Sequence, residues 1–334
     1  MKHSQKKITN WLILASCLFL SGCQSEKTEW NNNIDNAIRN QIKLNNDQLM
    51  NALAENNAAQ LKEIFSDTLT KQTSNEFESG VSKMHELIST NAYTILDEYY
   101  VKNNSTGFRD TIFKNVPGGQ AYRVNFEVMT KESYVSLLLH RDAETQLLVT
   151  IIYGKYESGW KVDVLRIGRY AFNTKTALDL YNQARTLFES GDLIDAVNLA
   201  SMIKPTLTPA DQFFHYEQES AMKEFAIKII ADAGQTFRFP LPVTSIKTAP
   251  TIYNIQPMPM PEGILPVVTY RTKINLADTA SLKRENDELQ KIIGTLFPGI
   301  EKNNRYVLFQ AYPEKSGKQK TSEHIEFVMP CLVQ

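Results

Sequence analysis

The spacing of apolar residues changes once along the first half of this chain, and the change limits what the chain can fold into. Apolar side chains recur every three or four residues in three segments, Ile34–Leu53, Ala58–Leu69 and Val81–Ile88. This spacing predicts three amphipathic helices. From Tyr93 onward apolar and polar residues alternate, which predicts strands with one buried face. Helices followed by a run of strands predict an α+β fold.

The predicted strands follow one another closely, so we expect a curled antiparallel sheet. The segments that alternate or are continuously apolar are Tyr93–Val101, Tyr122–Val128, Tyr134–Leu139, Leu147–Tyr153 and the stretch from Trp160 to Val164. Turn residues at Pro117-Gly118-Gly119 and Glu157-Ser158-Gly159 separate them. We assign residues 31–172 to this first domain.

Three helices followed by such a meander resemble the nuclear-transport-factor-two-like superfamily. The likeness covers residues 40–170 and is carried by Ala52-Leu53-Ala54-Glu55-Asn56, Leu61-Lys62-Glu63-Ile64-Phe65-Ser66 and Gly159-Trp160-Lys161-Val162. It implies a cone-like domain in which the sheet wraps a helix and leaves an apolar pocket. The candidate cavity residues are Tyr99, Tyr134 and Trp160. The superfamily includes small-molecule enzymes and binding modules, so the fold alone does not decide the function.

A helical hairpin is predicted next, from Ala177 to Phe188 and from Leu193 to Ile203. It resembles one tetratricopeptide unit, and the residues that carry the likeness are Ala184, Leu187, Gly191, Asp192, Ala196 and Ala200. Small alanines let two helices approach closely, and glycine permits the sharp turn between them. With a further helix over Pro209–Ala233, these segments predict a small helical bundle at residues 173–235.

Proline is concentrated in the segment that follows the bundle. Seven prolines lie between Phe239 and Pro266. Because proline fixes φ and removes an amide hydrogen, residues 236–265 are predicted to be a stiff, extended linker. Residues 266–334 then alternate strand, helix, strand and strand, which predicts a small β-α-β-β unit.

The N-terminus is typical of an export signal. Three lysines precede an apolar stretch from Trp11 to Leu20, which is shorter than the roughly 20 residues that a membrane-spanning helix needs. The following Leu20-Ser21-Gly22-Cys23 resembles the lipobox of bacterial lipoproteins. The resemblance implies cleavage between Gly22 and Cys23, removal of a signal peptide at residues 1–22, and lipidation with fatty acyl chains such as palmitate on Cys23. Residues 23–30 are then a tether.

The resemblance also gives an expected location. Gln24 follows Cys23 where an aspartate tends to retain lipoproteins in the inner membrane. We therefore expect a lipid-anchored protein of the bacterial envelope, in the outer membrane and facing the periplasm. Its expected partners are the membrane, through the N-terminal lipid, and an envelope protein. The chain has 36 basic and 37 acidic residues, and this balance does not predict a nucleic-acid partner.

Motifs for catalysis, metal binding or a cofactor are missing from the sequence. His85-Glu86 begins like a zinc-protease motif, but Ser89 stands where the second histidine would be. We therefore predict no catalytic residues, no metal and no cofactor, and a non-enzymatic ligand-binding, protein-binding or scaffolding role. The alternative is a small-molecule enzyme, isomerase-like or hydrolase-like, that uses the predicted cavity of the first domain, residues 31–172. A carboxylate of Asp97 or Glu98 and a phenol of Tyr99 or Tyr134 could supply its acid–base groups.

Overall fold

The structure is a computed structural model, and it describes residues 27–73, 75–115, 120–142, 144–314 and 323–331. The Leu20–Cys23 motif and the predicted signal peptide lie outside the described residues. The chain folds as a mixed α+β protein with a curled half-barrel antiparallel sheet, so the predicted fold class and the order of its parts are confirmed.

Fourteen strands and eight α-helices lie in the described ranges. The strands are β1 (Lys27–Trp30), β2 (Thr94–Lys102), β3 (Arg109–Lys114), β4 (Tyr122–Glu127), β5 (Glu132–Asp142), β6 (Thr145–Tyr156), β7 (Gly159–Phe172), β8 (Lys175–Thr176), β9 (Phe214–Tyr216), β10 (Leu241–Pro242), β11 (Thr251–Met260), β12 (Gly263–Thr272), β13 (Tyr306–Pro313) and β14 (Ile325–Pro330). The helices are α1 (Asn36–Ala54), α2 (Ala58–Ile64), α3 (Asp67–Thr73), α4 (Phe77–Leu87), α5 (Ala177–Glu189), α6 (Leu193–Thr206), α7 (Glu219–Thr236) and α8 (Thr279–Leu296).

The curled sheet has six strands in the order β1-β2-β5-β6-β7-β8. Each neighbouring pair is antiparallel, and β1 pairs with β2 from Lys27, opposite Lys102, to Trp30, opposite Tyr99. Residues 27–30 were predicted to belong to a tether, and this part of the prediction is wrong. β1 begins four positions after Cys23 in the sequence.

Helices α1 to α4 cover one face of this sheet. Asp35 caps α1 by accepting hydrogen bonds from the amides of Ala37 and Ile38. The predicted single helix over 58–69 is instead two helices, because the chain pairs with β7 in the middle. The amide of Ser66 donates to the carbonyl of Val162 at 2.9 Å, and the Ser66 hydroxyl then accepts from the amide of Leu69, at the start of the next helix.

The opposite face of the curled sheet is covered as well. A small antiparallel ribbon of β3, β4 and β9 and the bundle of α5, α6 and α7 pack against it and share one apolar core with it. The predicted helical hairpin is α5 and α6, with Gly191 at a φ of 83° in the turn. The curled sheet is therefore covered on both faces, by α1 to α4 on one and by the ribbon and the bundle on the other.

A second sheet forms the C-terminal unit, in the order β10-β11-β12-β13-β14 with α8 packed on it. β12 and β13 are parallel and α8 connects them, which confirms the predicted β-α-β-β order. The prediction that residues 236–265 are a linker is wrong. This segment supplies β10 and β11, since an extended proline-rich chain can still pair as an edge strand.

Proline positions give β11 an unusual outer edge. Pro257 lies opposite Pro266 on β12, and neither residue has an amide hydrogen. This pair is therefore a non-hydrogen-bonded pair, whose backbone nitrogens point away from the partner strand. Pro259 has the same orientation, two residues further along. At these two outward positions β11 thus lacks the amide hydrogens that an additional strand would need.

Candidate functional site

The three residues predicted to line one cavity do not do so. Tyr99, Tyr134 and Trp160 are all buried, but Tyr99 belongs to the core between the sheet and the ribbon, whereas Tyr134 and Trp160 belong to the core beneath α1 to α4. Tyr134 and Trp160 pack edge to face at 6.2 Å between ring centroids. Neighbouring residues on a strand point to opposite faces, and this separates the tyrosine of β2 from the other two side chains.

Several polar groups inside the helix-covered core are paired with each other. Asn46 on α1 donates from Nδ2 to the Ser136 hydroxyl at 3.2 Å, and its Oδ1 accepts from the Tyr153 hydroxyl at 2.8 Å. Glu98 accepts a hydrogen bond from Nε of Arg39 at 3.1 Å. Burial raises the pKa of the Tyr153 hydroxyl well above its usual value, so this phenol stays protonated and acts as a donor.

A second polar cluster surrounds Asp97 on β2. Asp97 precedes Glu98 in this strand, so its side chain points to the opposite face of the sheet. Its carboxylate accepts hydrogen bonds from Nδ2 of Asn31 at 3.0 Å, from Nζ of Lys114 at 2.5 Å and from the hydroxyl of Tyr122. The Tyr122 hydroxyl is also 3.0 Å from that of Tyr99. Asp97 is only 3% exposed. The cluster holds β2, β3 and β4 together.

The sequence led us to expect a carboxylate near a phenol, and the structure brings Asp97 and Tyr99 together through Tyr122. The residue that joins them, Tyr122, was predicted only to be part of a strand. Burial raises the pKa of Tyr122 far above its ordinary value. The Asp97 carboxylate is buried and already accepts hydrogen bonds from three side chains. A substrate would have to displace one of those donors, so we assign this carboxylate a structural role.

Open space begins where the layers meet at the surface. A groove of about 680 Å³ lies between α3, the β3–β4 ribbon and β7, and we call it the ribbon groove. Apolar side chains in its lining are Leu69, Phe126, Met129, Val164 and Phe213. Polar side chains in its lining are Thr68, Gln72, Arg109, Asp110, Thr111, Asn125, Glu127, Asp163, Arg166 and Gln212.

The ribbon groove carries charges of both signs. Arg166 lies over the ring of Phe213, 5.1 Å from its centroid, and forms an exposed ion pair with Asp211 at 3.5 Å. Asp163 accepts from the Tyr156 hydroxyl at 2.7 Å, and burial raises the pKa of its carboxyl group above the usual value. The groove therefore offers apolar surface, hydrogen-bonding groups and charges of both signs.

A second opening of about 450 Å³ lies between the bundle and the C-terminal sheet, and we call it the bundle cleft. Its lining residues are Lys175, Gln183, Leu187, Asp195, Asn198, Leu199, Glu262, Gly263, Ile264, Leu265, Pro266, Asn303, Asn304 and Arg305. The sequence predicted none of them as a site residue. Leu187 and Pro266 were named there only for their structural roles. Only the tertiary structure brings these separate segments together.

Beside the bundle cleft, Asp195 of α6 and Asp192, the residue before α6, contact the loop that follows α8. Asp195 accepts hydrogen bonds from Nδ2 of Asn303 at 3.1 Å and from Nδ2 of Asn304 at 2.7 Å. Asp192 accepts from Asn303 at 2.9 Å and pairs with Lys302 at 3.0 Å. Burial raises the pKa of the Asp195 carboxyl group. These contacts fix the C-terminal unit against the bundle.

His85 and His140 each contact a backbone carbonyl. Nδ1 of His85 lies 3.1 Å from the carbonyl of Leu53, and Nδ1 of His140 lies 2.8 Å from the carbonyl of Ala92. Within the described ranges, no three His, Cys, Asp or Glu side chains are grouped closely enough to hold a metal ion. In the same ranges, no helix combines the length and apolar character needed to cross a bilayer.

Comparisons with known proteins give no relative from which a function could be transferred. No family model, no curated protein and no solved structure matches the chain.

Proposed function

We propose that this protein is a non-enzymatic binding or scaffolding protein that is held on a bacterial envelope membrane by lipid on Cys23. The observation that carries the binding role is the ribbon groove. Its lining combines five apolar side chains with ten polar ones. An envelope protein that presents an extended segment fits this groove, because its side chains would meet the apolar residues while its main chain meets the polar ones.

The isomerase-like or hydrolase-like alternative has less support. Its carboxylate, Asp97, is buried and accepts from Asn31, Lys114 and Tyr122. Glu98, the other candidate, is 1% exposed and paired with Arg39. Each carboxylate thus has a cation within the fold and lacks the free approach that a general base needs. We therefore place recognition in the grooves between layers and not in the core.

The lipid anchor would hold the curled sheet close to the membrane. β1 begins four residues after Cys23. Four residues reach at most about 14 Å when fully extended. An acylated Cys23 would therefore keep the edge of the sheet within that distance of the headgroups, and partners in the same membrane would be favoured.

Mass spectrometry of the mature N-terminus tests the anchor. We expect a chain that begins at Cys23 and carries acyl chains, recovered in the membrane fraction. Cys23→Ser should be released from the membrane while keeping its fold, since it changes no contact in the described structure. An unmodified Cys23 thiol in the native protein would refute the anchor.

Site-specific photocrosslinking tests the binding role. A photoreactive amino acid at Gln72 or Gln212 would line the ribbon groove, whereas the same residue at Gln235, exposed on α7, serves as the matched control. We expect one envelope protein to crosslink from both groove positions and not from the control. Thr68→Trp, which places an indole in the groove, should reduce this adduct at least fivefold. Recovery of the uncrosslinked protein alone from intact envelopes would contradict the proposal.

A further inference from the structure

The chain enters the curled sheet at an end that is rich in lysine. β1 begins at Lys27, which lies opposite Lys102, the last residue of β2. The backbone carbonyl of Lys131, the residue before β5, accepts a hydrogen bond from the amide of Asn103 at 2.8 Å. These contacts bring Lys27, Lys102 and Lys131 to the same end of the sheet.

The hairpin of β6 and β7 adds two more lysines at this end. The amide of Lys155, near the end of β6, donates to the hydroxyl of Thr130 at 3.0 Å, so Lys155 lies beside the start of β5. Lys161, near the start of β7, lies opposite Gly154 on β6. We call these five residues the lysine rim: Lys27, Lys102, Lys131, Lys155 and Lys161.

Three lysines of the rim are available to an external anion. Lys27 pairs with Glu29 at 2.5 Å, and Lys161 donates to the carbonyl of Glu63 at 2.6 Å. The other three are exposed and form no ion pair in the part of the chain that the structure describes, and they are Lys102, Lys131 and Lys155.

The lysine rim is positive on a chain whose net charge is negative. The strand ends and turns that carry it hold five lysines and three glutamates, in residues 27–29, 101–104, 130–132 and 154–161. Residues 23–334 as a whole contain 33 basic and 37 acidic residues. An anionic surface is therefore attracted to this end of the sheet while the chain as a whole repels it.

The position of Cys23 identifies the anionic surface. Four residues connect Cys23 to Lys27, the first residue of β1, and they reach at most about 14 Å. Because β1 starts at the lysine rim, lipid on Cys23 would bring this end of the sheet to the headgroups. We propose that the lysine rim binds the anionic phospholipid headgroups of the membrane that holds the Cys23 lipid. The choice of this surface rests on the proposed anchor.

Partition of a singly acylated chain between two kinds of vesicle tests this proposal. Cys331→Ser leaves Cys23 as the only cysteine of residues 23–334, so one acyl chain can be coupled to its thiol through a maleimide. A single acyl chain binds a bilayer weakly and reversibly, so an electrostatic contribution can be measured beside it. We compare vesicles of equal parts phosphatidylglycerol and phosphatidylcholine with vesicles of phosphatidylcholine alone. At an ionic strength of about 0.1 M, we expect at least about fivefold stronger partition into the anionic vesicles.

Matched variants locate the preference for anionic vesicles. Neutralising the three exposed lysines of the rim should lower the anionic-to-neutral partition ratio to about one or below, and this variant combines Lys102→Gln, Lys131→Gln and Lys155→Gln. The control removes the same charge at exposed positions outside the rim and should keep the parent's ratio, and it combines Lys223→Gln, Lys247→Gln and Lys291→Gln. If the rim variant does not fold, Lys131→Gln alone should still lower the ratio at least about twofold.

The outcome is independent of whether the cell acylates Cys23, because the acyl chain is attached chemically. An unmodified Cys23 in the native protein would refute the anchor without changing the partition ratio. Equal partition of the parent into both kinds of vesicle, or an equal loss in the rim variant and the control, would overturn headgroup binding by the lysine rim.

Discussion

Two buried asparagines, one in each half of the molecule, are treated differently by the fold. Asn46, beneath the curled sheet, has both ends of its amide engaged, by Ser136 and Tyr153. Asn198, in the bundle cleft, has a buried Nδ2 that finds no hydrogen-bond partner among the described residues. Asn46 therefore ties α1 to β5 and β6, whereas the Nδ2 of Asn198 contributes no hydrogen bond to the fold within the described ranges.

The largest expected effect belongs to the structural side of this comparison. Asp97→Ala should lower the free energy of unfolding by about 3–5 kcal/mol, because Lys114, Tyr122 and Asn31 would lose a buried acceptor. Urea denaturation at neutral pH measures it. Glu127→Ala, at an exposed position of β4, is the control and should change stability by less than about 0.5 kcal/mol. A loss below about 1 kcal/mol for Asp97→Ala would mean that this cluster does not hold the ribbon.

A somewhat smaller loss is expected at the first asparagine. Asn46→Leu should cost about 2–4 kcal/mol, since two buried hydroxyls would each lose their partner. Thermal and urea unfolding of the variant measure this cost. Asn40→Leu, at an exposed position on the same helix, should stay close to the parent. A nearly unchanged midpoint for Asn46→Leu would remove the contrast between the two asparagines.

The third prediction concerns the pH dependence of the cleft wall. Burial raises the folded-state pKa of Asp195 above its ordinary value of 3.8. The resulting contribution to stability is fully present below the unfolded-state pKa and is lost as pH rises through the folded-state pKa. Asp195→Asn should abolish this dependence. When the pH is lowered from neutral to about 4, the parent should therefore gain stability relative to Asp195→Asn, by less than about 2 kcal/mol.

Urea midpoints at several pH values would show this difference. Asp287→Asn, on the exposed side of an i,i+4 pair with Lys283, is the control and should shift the pH profile little. A parent that instead loses stability relative to Asp195→Asn on acidification would show that the Asp195 pKa is not raised by burial.

The smallest loss of stability is expected at the second asparagine. Asn198→Leu should not lower the free energy of unfolding, because the leucine removes a buried donor that has no acceptor among the described residues. The same unfolding experiments measure it beside Asn46→Leu. A loss as large as that of Asn46→Leu would show that the Asn198 side chain has a structural role.

Much of the fold was predictable because periodicity reports which face of an element is buried. The helix over 34–53, the alternating strand at Tyr122 and the β-α-β-β order all follow from it. The break near Ser66 was missed because its cause is pairing with Val162, nearly a hundred residues away. The proline-rich segment that forms β11 was predicted to be a linker. Proline indicates an extended backbone, but it does not indicate whether a partner strand lies beside it.

The candidate site was far less predictable. Tyr99, Tyr134 and Trp160 were predicted as cavity residues because they are aromatic residues in strands. The face of the sheet to which Tyr99 points depends on the register of β2, which is shifted by a bulge between Ile95 and Asp97. The two openings are lined by residues from segments far apart in sequence. No local pattern could signal that Lys175, Asn198 and Ile264 meet in one cleft.

The proline edge of β11 has a consequence for how copies of this protein can meet. If many copies are held in the plane of a membrane, their C-terminal sheets will collide side by side. Growth of a continuous fibre needs each molecule to offer two compatible edges, and β14 would have to find hydrogen-bond donors on the β11 of its neighbour. At Pro257 and Pro259 those donors are missing. Pairing of β14 with the β11 of a neighbour is therefore disfavoured at these two positions.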